Sequence, residues 1–352
     1  MNFKKIHSFI ICLLINAGFS MPAFAVSGAN DDTMTFAFVG DVMMGRTFPS
    51  VQLPEKDGAL LFNDAKPILR RADLALGNLE GALCEGGTST KGMGPNSYAF
   101  RTPPRYAKWL KDAGFDFMSM ANNHSRDFGQ TGIEQTEQAL REQGIAFAGV
   151  AGRVEYTVVN CKGKKIGICA FGHNQYTVKH LDLNKVEQVL KALRAQTDFI
   201  IVSFHGGAEG RSKNHLPNGT ETFLGENRGN LRQLAHFCID NGADIVYGHG
   251  PHVLRCVEVY KGRFIAYSLG NFCTPYGVSL TGISGYAPLV EIKTDGNGRF
   301  LSGQIHPFIQ RPGVGPRTDK SNAVVKEMMT LTQQDIPNNP IKIDATGKIL
   351  LK

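Results

Sequence analysis

Five short polar clusters lie where apolar runs end, and this pattern constrains the fold of the chain more than its composition does. The apolar runs have the length of buried strands, and the clusters occupy residues 40–45, 77–81, 121–124, 205–209 and 248–252. In open α/β sheets the carboxyl ends of the strands converge on one crevice. The sequence therefore predicts one site that collects Asp, Glu, Asn and His side chains from distant parts of the chain.

Strand-like and helix-like segments alternate along the chain, which predicts a layered α/β sandwich. A hairpin at 156–171, and two further strands within 253–272, predict mixed sheets rather than a purely parallel one.

A domain is expected at 34–308. After it the chain is polar and rich in Pro and Gly, so residues 309–352 are expected to form an extension that is packed outside or partly loose. Strands are predicted at 34–40, 73–77, 115–120, 198–204 and 244–247, and helices at 64–72, 104–113, 131–143, 184–195 and 229–241.

The first 25 residues have the pattern of a cleaved secretory signal peptide. Lys4 and Lys5 precede an apolar stretch at 9–15, and a small-x-small cleavage site ends at Ala25. The bulky residue before Cys12 argues against a lipoprotein anchor, and no later segment reaches transmembrane length. We therefore expect an exported protein, periplasmic or extracellular, without a membrane anchor.

Charge and cysteine content narrow the classes of partner and metal site. The formal net charge of +7 suits an anionic substrate or surface, or reflects a mixed surface that is slightly basic. The chain has no dense Lys/Arg run with interleaved aromatic residues, which argues against nucleic acid as a partner. The six cysteines beyond the signal form no CxxC pair, so a thiolate zinc site is not expected, and their disulfide pairing stays open.

The clusters contain the donor atoms of a divalent metal site. Zinc, manganese and iron all accept imidazole together with carboxylate. Each residue taken alone has an alternative explanation: a carboxylate can cap a helix or a turn, and a histidine can be an ordinary core residue. Their repeated placement after strands favours a shared site for one or two ions. The candidate metal ligands are Asp41, Glu80, Asn123, His205, His249 and His252.

Other polar residues in or near the clusters are candidates for proton transfer and substrate binding. His124 is a candidate general acid. Glu209 is a candidate catalytic residue that orients a histidine or relays protons. An amide oxygen and three arginines are candidates for holding a substrate, although the arginines also fit an ordinary surface. The candidate substrate-binding residues are Asn78, Arg46, Arg101 and Arg211.

Several stretches, in order, resemble the signature motifs of the CapA (poly-γ-glutamate capsule synthesis) family. They include Ala-Asn-Asn-His-Ser-Arg-Asp-Phe-Gly at 121–129, Gly-His-Gly-Pro-His at 248–252 and Ala-Tyr-Ser-Leu-Gly-Asn-Phe at 266–272. The clusters at 40–45 and 78–81 and the one that begins at 205 fit the same pattern. The resemblance runs from about residue 34 to 308. It implies a calcineurin-like metallophosphoesterase fold, a four-layer α-β-β-α sandwich with mixed sheets and metals at the strand ends.

The resemblance also assigns roles to individual residues. Asp41 matches the aspartate of the first superfamily motif, and Asn123 matches the metal-binding asparagine. His124 matches the neighbouring general acid, while His205, His249 and His252 match the later metal histidines.

Three motifs depart from the superfamily pattern. Met43 stands where a histidine is usual, and the uncharged Asn78 stands where a bridging aspartate would fall, which leaves Glu80 as the expected bridge. His249 and His252 are also one residue further apart than in the commonest form. These departures predict a site with one metal, or with a weakly bound second one.

The resemblance implies a role in the synthesis, export or processing of poly-γ-glutamate or a related anionic cell-surface polymer. The leading hypothesis is an exported metal-dependent enzyme that acts on such a polymer or on its peptide-like linkage. One alternative is a metallophosphoesterase that acts on a phosphate ester. Another is a non-catalytic, metal-stabilised subunit of a polymer export complex, whose partners would be membrane-bound capsule synthetase components.

Overall fold

Two large β-sheets dominate the computed structural model, which describes residues 32–92 and 98–352. The signal peptide predicted at residues 1–25 lies outside the described residues. The strands are β1 Met34–Val42, β2 Leu74–Leu79, β3 Ala82–Leu83, β4 Arg101–Thr102, β5 Phe117–Ser119, β6 Ala146–Ala148, β7 Tyr156–Cys161, β8 Lys164–Gly172, β9 Phe199–His205, β10 Glu221–Phe223, β11 Glu226–Gly229, β12 Ile245–His249, β13 Val257–Tyr260, β14 Arg263–Ala266, β15 Asn271–Cys273, β16 Leu289–Thr294, β17 Phe300–His306, β18 Phe308–Arg311, β19 Gly315–Thr318, β20 Ile341–Ile343 and β21 Lys348–Leu351. The helices are α1 Lys66–Leu69, α2 Ala107–Ala113, α3 Gly129–Glu142, α4 Leu183–Arg194, α5 Leu231–Asp240 and α6 Ala323–Asp335.

Both large sheets are mixed. The first has nine strands in the order β20-β21-β17-β16-β1-β2-β5-β6, with β15 also paired to the end of β1. The second has six strands in the order β13-β14-β12-β9-β8-β7. Parallel pairs β1–β2 and β9–β12 form the centre of each sheet, while hairpins such as β7–β8 lie at the edges. The predicted mixture of parallel and antiparallel pairing is therefore present.

The inner faces of the two sheets pack against each other through aromatic side chains. Side chains alternate between the faces of a strand, so Phe36 and Phe38 of β1 point the same way. The Phe36 ring lies 5.1 Å from that of Phe199 in β9, and the Phe38 ring lies 4.8 Å from that of Tyr247 in β12. Burying one such ring contributes on the order of 2–3 kcal/mol to stability.

The outer faces are covered by helices, which completes the four-layer α-β-β-α sandwich. Ala37 and Val39, on the other face of β1, share a core with Leu110 of α2 and Leu140 of α3. On the six-stranded sheet, α4 buries residues 186, 189, 190 and 193, the spacing of one helical face. The predicted fold class is confirmed.

Local sequence signals account for the ends of several helices. Asp182 accepts a hydrogen bond from Lys185 N at 3.1 Å and caps α4, and Asn230 caps α5 in the same way through Gln233 N. Gly114 ends α2 in a left-handed conformation, with φ of 107°. The helix predicted at 64–72 is shorter, at Lys66–Leu69. The helix predicted at 104–113 begins as a 3₁₀ turn.

Residues after 308 differ from the outer or loose extension that composition suggested. β21 pairs with β17 and thereby joins the nine-stranded sheet. Val324, Val325 and Met328 of α6 are fully buried. The polar, Pro- and Gly-rich composition reflects turns between short elements, and this segment belongs to the same compact unit, Thr33–Lys352. Across the described residues, no helix combines the length and the hydropathy needed to cross a membrane.

Candidate metal centre

Strand register brings four of the five polar clusters together. Asp41 at the end of β1 is in register with Asn78 of β2, and His205 of β9 is in register with His249 of β12. Because the two sheets face each other, the carboxyl ends of these strands meet at one edge of the sandwich. The close approach of β1 to the turn before β15 requires Gly40, since a Cβ there would lie 1.9 Å from Gly270 O.

A buried amide links the two candidate carboxylates. Asn78 Nδ2 donates to Asp41 Oδ1 at 2.8 Å and to Glu80 Oε2 at 2.7 Å. Asn78 Oδ1 accepts from Asn122 Nδ2 at 3.0 Å. An aspartate at this position would add a third carboxylate, whereas the amide donates to both of the others. Asn78 is fully buried and its amide is used within the cluster, so it does not face a substrate as the sequence suggested.

The buried imidazoles of His205 and His249 have no hydrogen-bond partner on either ring nitrogen among the described residues. His205 Nε2 lies 3.4 Å from Glu80 Oε2, and His249 Nδ1 lies 3.7 Å from Asp41 Oδ1. Burial lowers the pKa of His249 to about 4, although the charge of Asp41 acts in the opposite direction. A neutral buried imidazole with a free lone pair is the form that binds a metal.

His252 contacts the same carboxylate from the other side. Its Nδ1 lies 2.8 Å from Asp41 Oδ2, and its backbone adopts a left-handed conformation, with φ of 57°. Burial alone would lower the pKa of His252, but the hydrogen bond and charge of Asp41 raise it to about 10. Burial would likewise raise the pKa of Glu80, but the charge of the neighbouring His205 imidazole holds that pKa well below its usual range. The cluster thus pairs carboxylates with imidazoles.

His124 is oriented by an aspartate that sequence reasoning did not single out. His124 Nδ1 lies 2.8 Å from Asp127 Oδ2, which also accepts from Phe100 N at 2.7 Å. The opposite nitrogen, Nε2, lies 3.8 Å from Glu80 Oε1. Asp127 is fully buried, three residues after His124. Its signal was its place within the motif-like stretch 121–129.

Glu209 is held by an arginine rather than by a histidine. Arg228 Nη1 donates to Glu209 Oε1 at 2.8 Å, while Glu209 Oε2 lies 3.9 Å from His252 Nε2. Arg228 is itself buried and also pairs with Glu226 at 3.1 Å. Nothing in the sequence pattern marked Arg228, because it comes close to Glu209 only through the hairpin of β10 and β11.

The three arginines predicted to bind substrate lie elsewhere in the described structure. Arg46 donates to Gln52 Oε1 at 2.6 Å, and Arg101 Nε donates to Thr47 Oγ1 at 3.1 Å. Arg211 is exposed in a short 3₁₀ turn. None of the three lines either of the clefts described next.

Two adjoining clefts open above the cluster. We name the first the serine cleft, of about 300 Å³, and the second the hairpin cleft, of about 270 Å³. They share Tyr98, His124, Glu209 and Phe223. The serine cleft is further lined by Phe100, Gly210, His252, Asn271, Gly277, Val278, Ser279 and Ser284. The hairpin cleft is further lined by Lys91, Asn123, Asn174, Leu224, Glu226 and Arg228.

The donor set fits a divalent cation in its chemistry. Burying polar atoms without partners is costly, and several such atoms converge beneath the clefts. Within 32–92 and 98–352, no group of three or more His, Cys, Asp or Glu is arranged to hold an ion, and Asp41 is engaged by His252 and Asn78. The buried atoms without a partner in the described structure include Glu80 Oε1, Asn123 Oδ1, Asn271 Oδ1 and both ring nitrogens of His205 and His249.

Comparison with known proteins gives one family. The family described as bacterial capsule synthesis protein PGA_cap matches residues 35–276. The PGA biosynthesis protein CapA of Bacillus subtilis is 30% identical over 290 residues, covering 77% of this chain and 71% of that protein. The capsule biosynthesis protein CapA of Bacillus anthracis is 27% identical over 313 residues, covering 83% and 72%.

The solved structures that resemble this chain have lower sequence identity to it than the two CapA proteins. A novel phosphatase of Mycoplasma pneumoniae is 12% identical, with a TM-score of 0.48 and coverage of 82% of this chain and 95% of that chain. A putative 5′-nucleotidase of Staphylococcus aureus is 15% identical, with a TM-score of 0.45 and coverage of 86% and 58%. We therefore base the fold assignment on the two-sheet architecture itself.

Proposed function

The chain belongs to the bacterial capsule synthesis protein family, and we propose that it is a metal-dependent enzyme acting on poly-γ-glutamate or a related anionic cell-surface polymer. The names of its two Bacillus relatives support the polymer class. We also propose that it is exported, because residues 1–25 have the pattern of a signal peptide. Its partners would be the polymer and the machinery that synthesises or exports it.

One observation supports the enzymatic proposal most directly. Buried atoms that can ligate a metal, and that have no hydrogen-bond partner, lie beneath two open clefts. Structural polar networks in protein interiors are normally satisfied. Here His205 and His249 are completely buried, and none of their four ring nitrogens has a hydrogen-bond partner in the described structure. A bound divalent ion would supply the missing partner, and the clefts would admit a substrate to it.

The proposed ligands of that ion come from both sheets. A manganese, zinc or iron ion bound there would polarise a substrate carbonyl or phosphoryl oxygen as a Lewis acid. Asn78 keeps the two carboxylates close by donating to both. The side chains proposed to hold one or two ions are Asp41, Glu80, Asn123, His205, His249 and His252.

His124 would transfer the proton that the reaction requires. Asp127 accepts from Nδ1, which fixes the ring so that Nε2 faces Glu80 and both clefts. With Nε2 protonated, His124 would donate that proton to the leaving nitrogen as water adds to the amide carbonyl and the C–N bond breaks. His124 Nε2 would then take up the proton that the water loses, so that one carboxyl group and one amine are formed. Glu209, fixed by Arg228, would orient His252 at the opposite wall. The deep burial of Asp127 keeps water from competing for His124 Nδ1.

The test is cleavage of poly-γ-glutamate, followed by the appearance of new amino groups, with the protein supplied with manganese, zinc or iron in turn. We expect His124→Gln to abolish cleavage while keeping the fold. The matched control is His215→Gln, because His215 is 57% exposed and pairs with Asp335 outside the clefts. Equal activity of His124→Gln and wild type would refute the assigned role.

The assay also separates the other functions that the sequence allowed. Turnover of a chromogenic phosphodiester without amide cleavage would identify a phosphoesterase. Wild-type capsule formation by a His205→Ala/His252→Ala variant would indicate a subunit that binds polymer without chemistry.

A further inference from the structure

The β10–β11 hairpin has an unusual tip. Phe223 pairs with Glu226, which leaves Leu224 and Gly225 as a two-residue turn with φ of 50° and 79°. Turns with positive φ at both positions strongly favour Asn-Gly or Asp-Gly. A leucine there has a left-handed backbone, which contact between its Cβ and the following carbonyl oxygen disfavours. Leu224 is also 79% exposed, so it gains no burial in return.

The hairpin is anchored beside the candidate metal centre. Gly207 N donates to Arg228 O at 2.9 Å, which fixes β11 to the loop that follows His205. The Arg228 guanidinium lies 5.2 Å from the centre of the Phe223 ring and donates to Glu209. The tip is therefore placed by a buried arginine, and Leu224 forms part of the hairpin cleft wall.

The two clefts meet at the proposed proton donor. His124, Glu209, Tyr98 and Phe223 belong to both, so the clefts extend from the centre in different directions. A small phosphate ester would occupy only one of the two clefts. The hairpin cleft includes two cations, Lys91 and Arg228, while the described lining of the serine cleft includes neither Lys nor Arg. Arg228 pairs with the two carboxylates of that lining, Glu209 and Glu226, which leaves Lys91 as the cation for a ligand.

Resting on the proposed function, we propose that one extended anionic chain occupies both clefts and that the β10–β11 hairpin holds it through Leu224. Each unit of such a chain carries aliphatic methylenes and a carboxylate. Leu224 and Phe223 would contact the methylenes. Lys91 Nζ donates to Asn123 O at 3.0 Å and lies 3.6 Å from Asp127 Oδ1, and its side chain is 32% exposed, so its remaining donor capacity would attract a carboxylate. The linkage beside His124 is then internal to the chain, so cleavage occurs within the polymer rather than stepwise from an end.

Fluorescence anisotropy with labelled poly-γ-glutamate oligomers of about three and about twelve units tests this inference, since the shorter one suits a single cleft of this size. We expect the longer oligomer to bind about tenfold more tightly. Leu224→Asn should raise the Kd of the longer oligomer roughly five- to tenfold, because it removes the apolar contact. Asparagine suits the left-handed turn, so the variant should unfold at the same temperature as wild type or higher.

The matched control is Val51→Asn, because Val51 is 70% exposed and lies outside the residues that line the two clefts. Equal affinity for both oligomers, no binding of either, or a wild-type Kd in Leu224→Asn would overturn the inference. Length-dependent, Leu224-sensitive binding by a protein that cleaves nothing would refute the proposed enzyme and cleavage within the polymer, while the occupation of both clefts by one chain stands. Cleavage with a wild-type Kd in Leu224→Asn would refute the inference alone.

Discussion

The ion pair between Arg255 and Glu221 gives a prediction whose size follows from the structure. The Arg255 side chain is fully buried and that of Glu221 is 6% exposed, and they form two hydrogen bonds of 2.8 and 2.7 Å. Glu221 Oε2 also accepts from Ala208 N at 2.9 Å, and Arg255 Nε donates to Lys213 O. The pair therefore ties the loop after His205 to the segment after His252.

Arg255→Met should destabilise the protein strongly, because it leaves the Glu221 carboxylate buried with a single backbone donor. Removing one partner of a buried pair costs about 3–5 kcal/mol. For a chain of this length, about 1.5 °C in Tm corresponds to 1 kcal/mol, so Tm should fall by about 5–8 °C. In the double variant Arg255→Met/Glu221→Leu the unpaired charge is gone, and about half of the loss or more should be recovered.

Urea unfolding of wild type, both single variants and the double variant measures these differences, with Arg105→Met as the control. Arg105 pairs with Asp57 at the surface, where its side chain is 47% exposed. Such a pair contributes about 1 kcal/mol or less. A loss in Arg255→Met no larger than that in Arg105→Met would refute the reasoning. So would a double variant whose loss equals the sum of the two single losses.

Two other predictions concern the orientation of His124 and the loss of folding stability at acidic pH. Asp127→Asn should lower the turnover number about 10- to 100-fold, because His124 loses the acceptor that orients its ring; unchanged metal content with unchanged turnover would contradict this. His236 and Tyr267 lower the pKa of Glu258 below its usual value near 4.5, although burial acts in the opposite direction. A depressed pKa stabilises the fold above the unfolded-state value, and this stability is lost as pH falls through the folded value. Glu258→Gln should therefore be less stable than wild type near neutral pH and should lose less stability between about pH 5 and pH 3; parallel urea-unfolding curves for the two proteins would contradict this.

The sequence was sufficient to predict which strand ends carry polar residues. Apolar runs before Asp41, His205 and His249 marked buried strands, and parallel strands deliver their carboxyl ends to one edge. The structure places these three residues together, with His205 and His249 in direct register. The hairpin at 156–171 was equally predictable, because two strand-like runs flank a short turn that contains Gly163. The structure gives Lys162 and Gly163 of this turn positive φ.

Residues that depend on tertiary register could not be predicted in this way. Arg228 reaches Glu209 only because β10 and β11 fold back over the site, and no periodicity encodes that fold. Arg46 and Arg101 lie in or near the clusters in sequence, yet Arg46 donates to Gln52 and Arg101 to Thr47 instead of lining a cleft. Nearness along the chain is therefore a poor guide to the substrate-facing surface.

The fold of residues 309–352 could not be predicted from local sequence either. Its short strands alternate with Pro and Gly, so local propensity predicts loops. β21 forms by pairing with β17, whose backbone groups on that side would otherwise lie at the edge of the sheet, and β20 pairs with β21 in turn. α6 is stable because Val324, Val325 and Met328 bury one face.

Metal content, measured by elemental mass spectrometry on protein purified without chelators, tests the central claim most directly. The account predicts about one or two equivalents of manganese, zinc or iron in wild type. It predicts their loss in His205→Ala/His249→Ala and their retention in His215→Ala. A wild-type protein that binds none of these ions after soaking, or a double variant that keeps them, would contradict it.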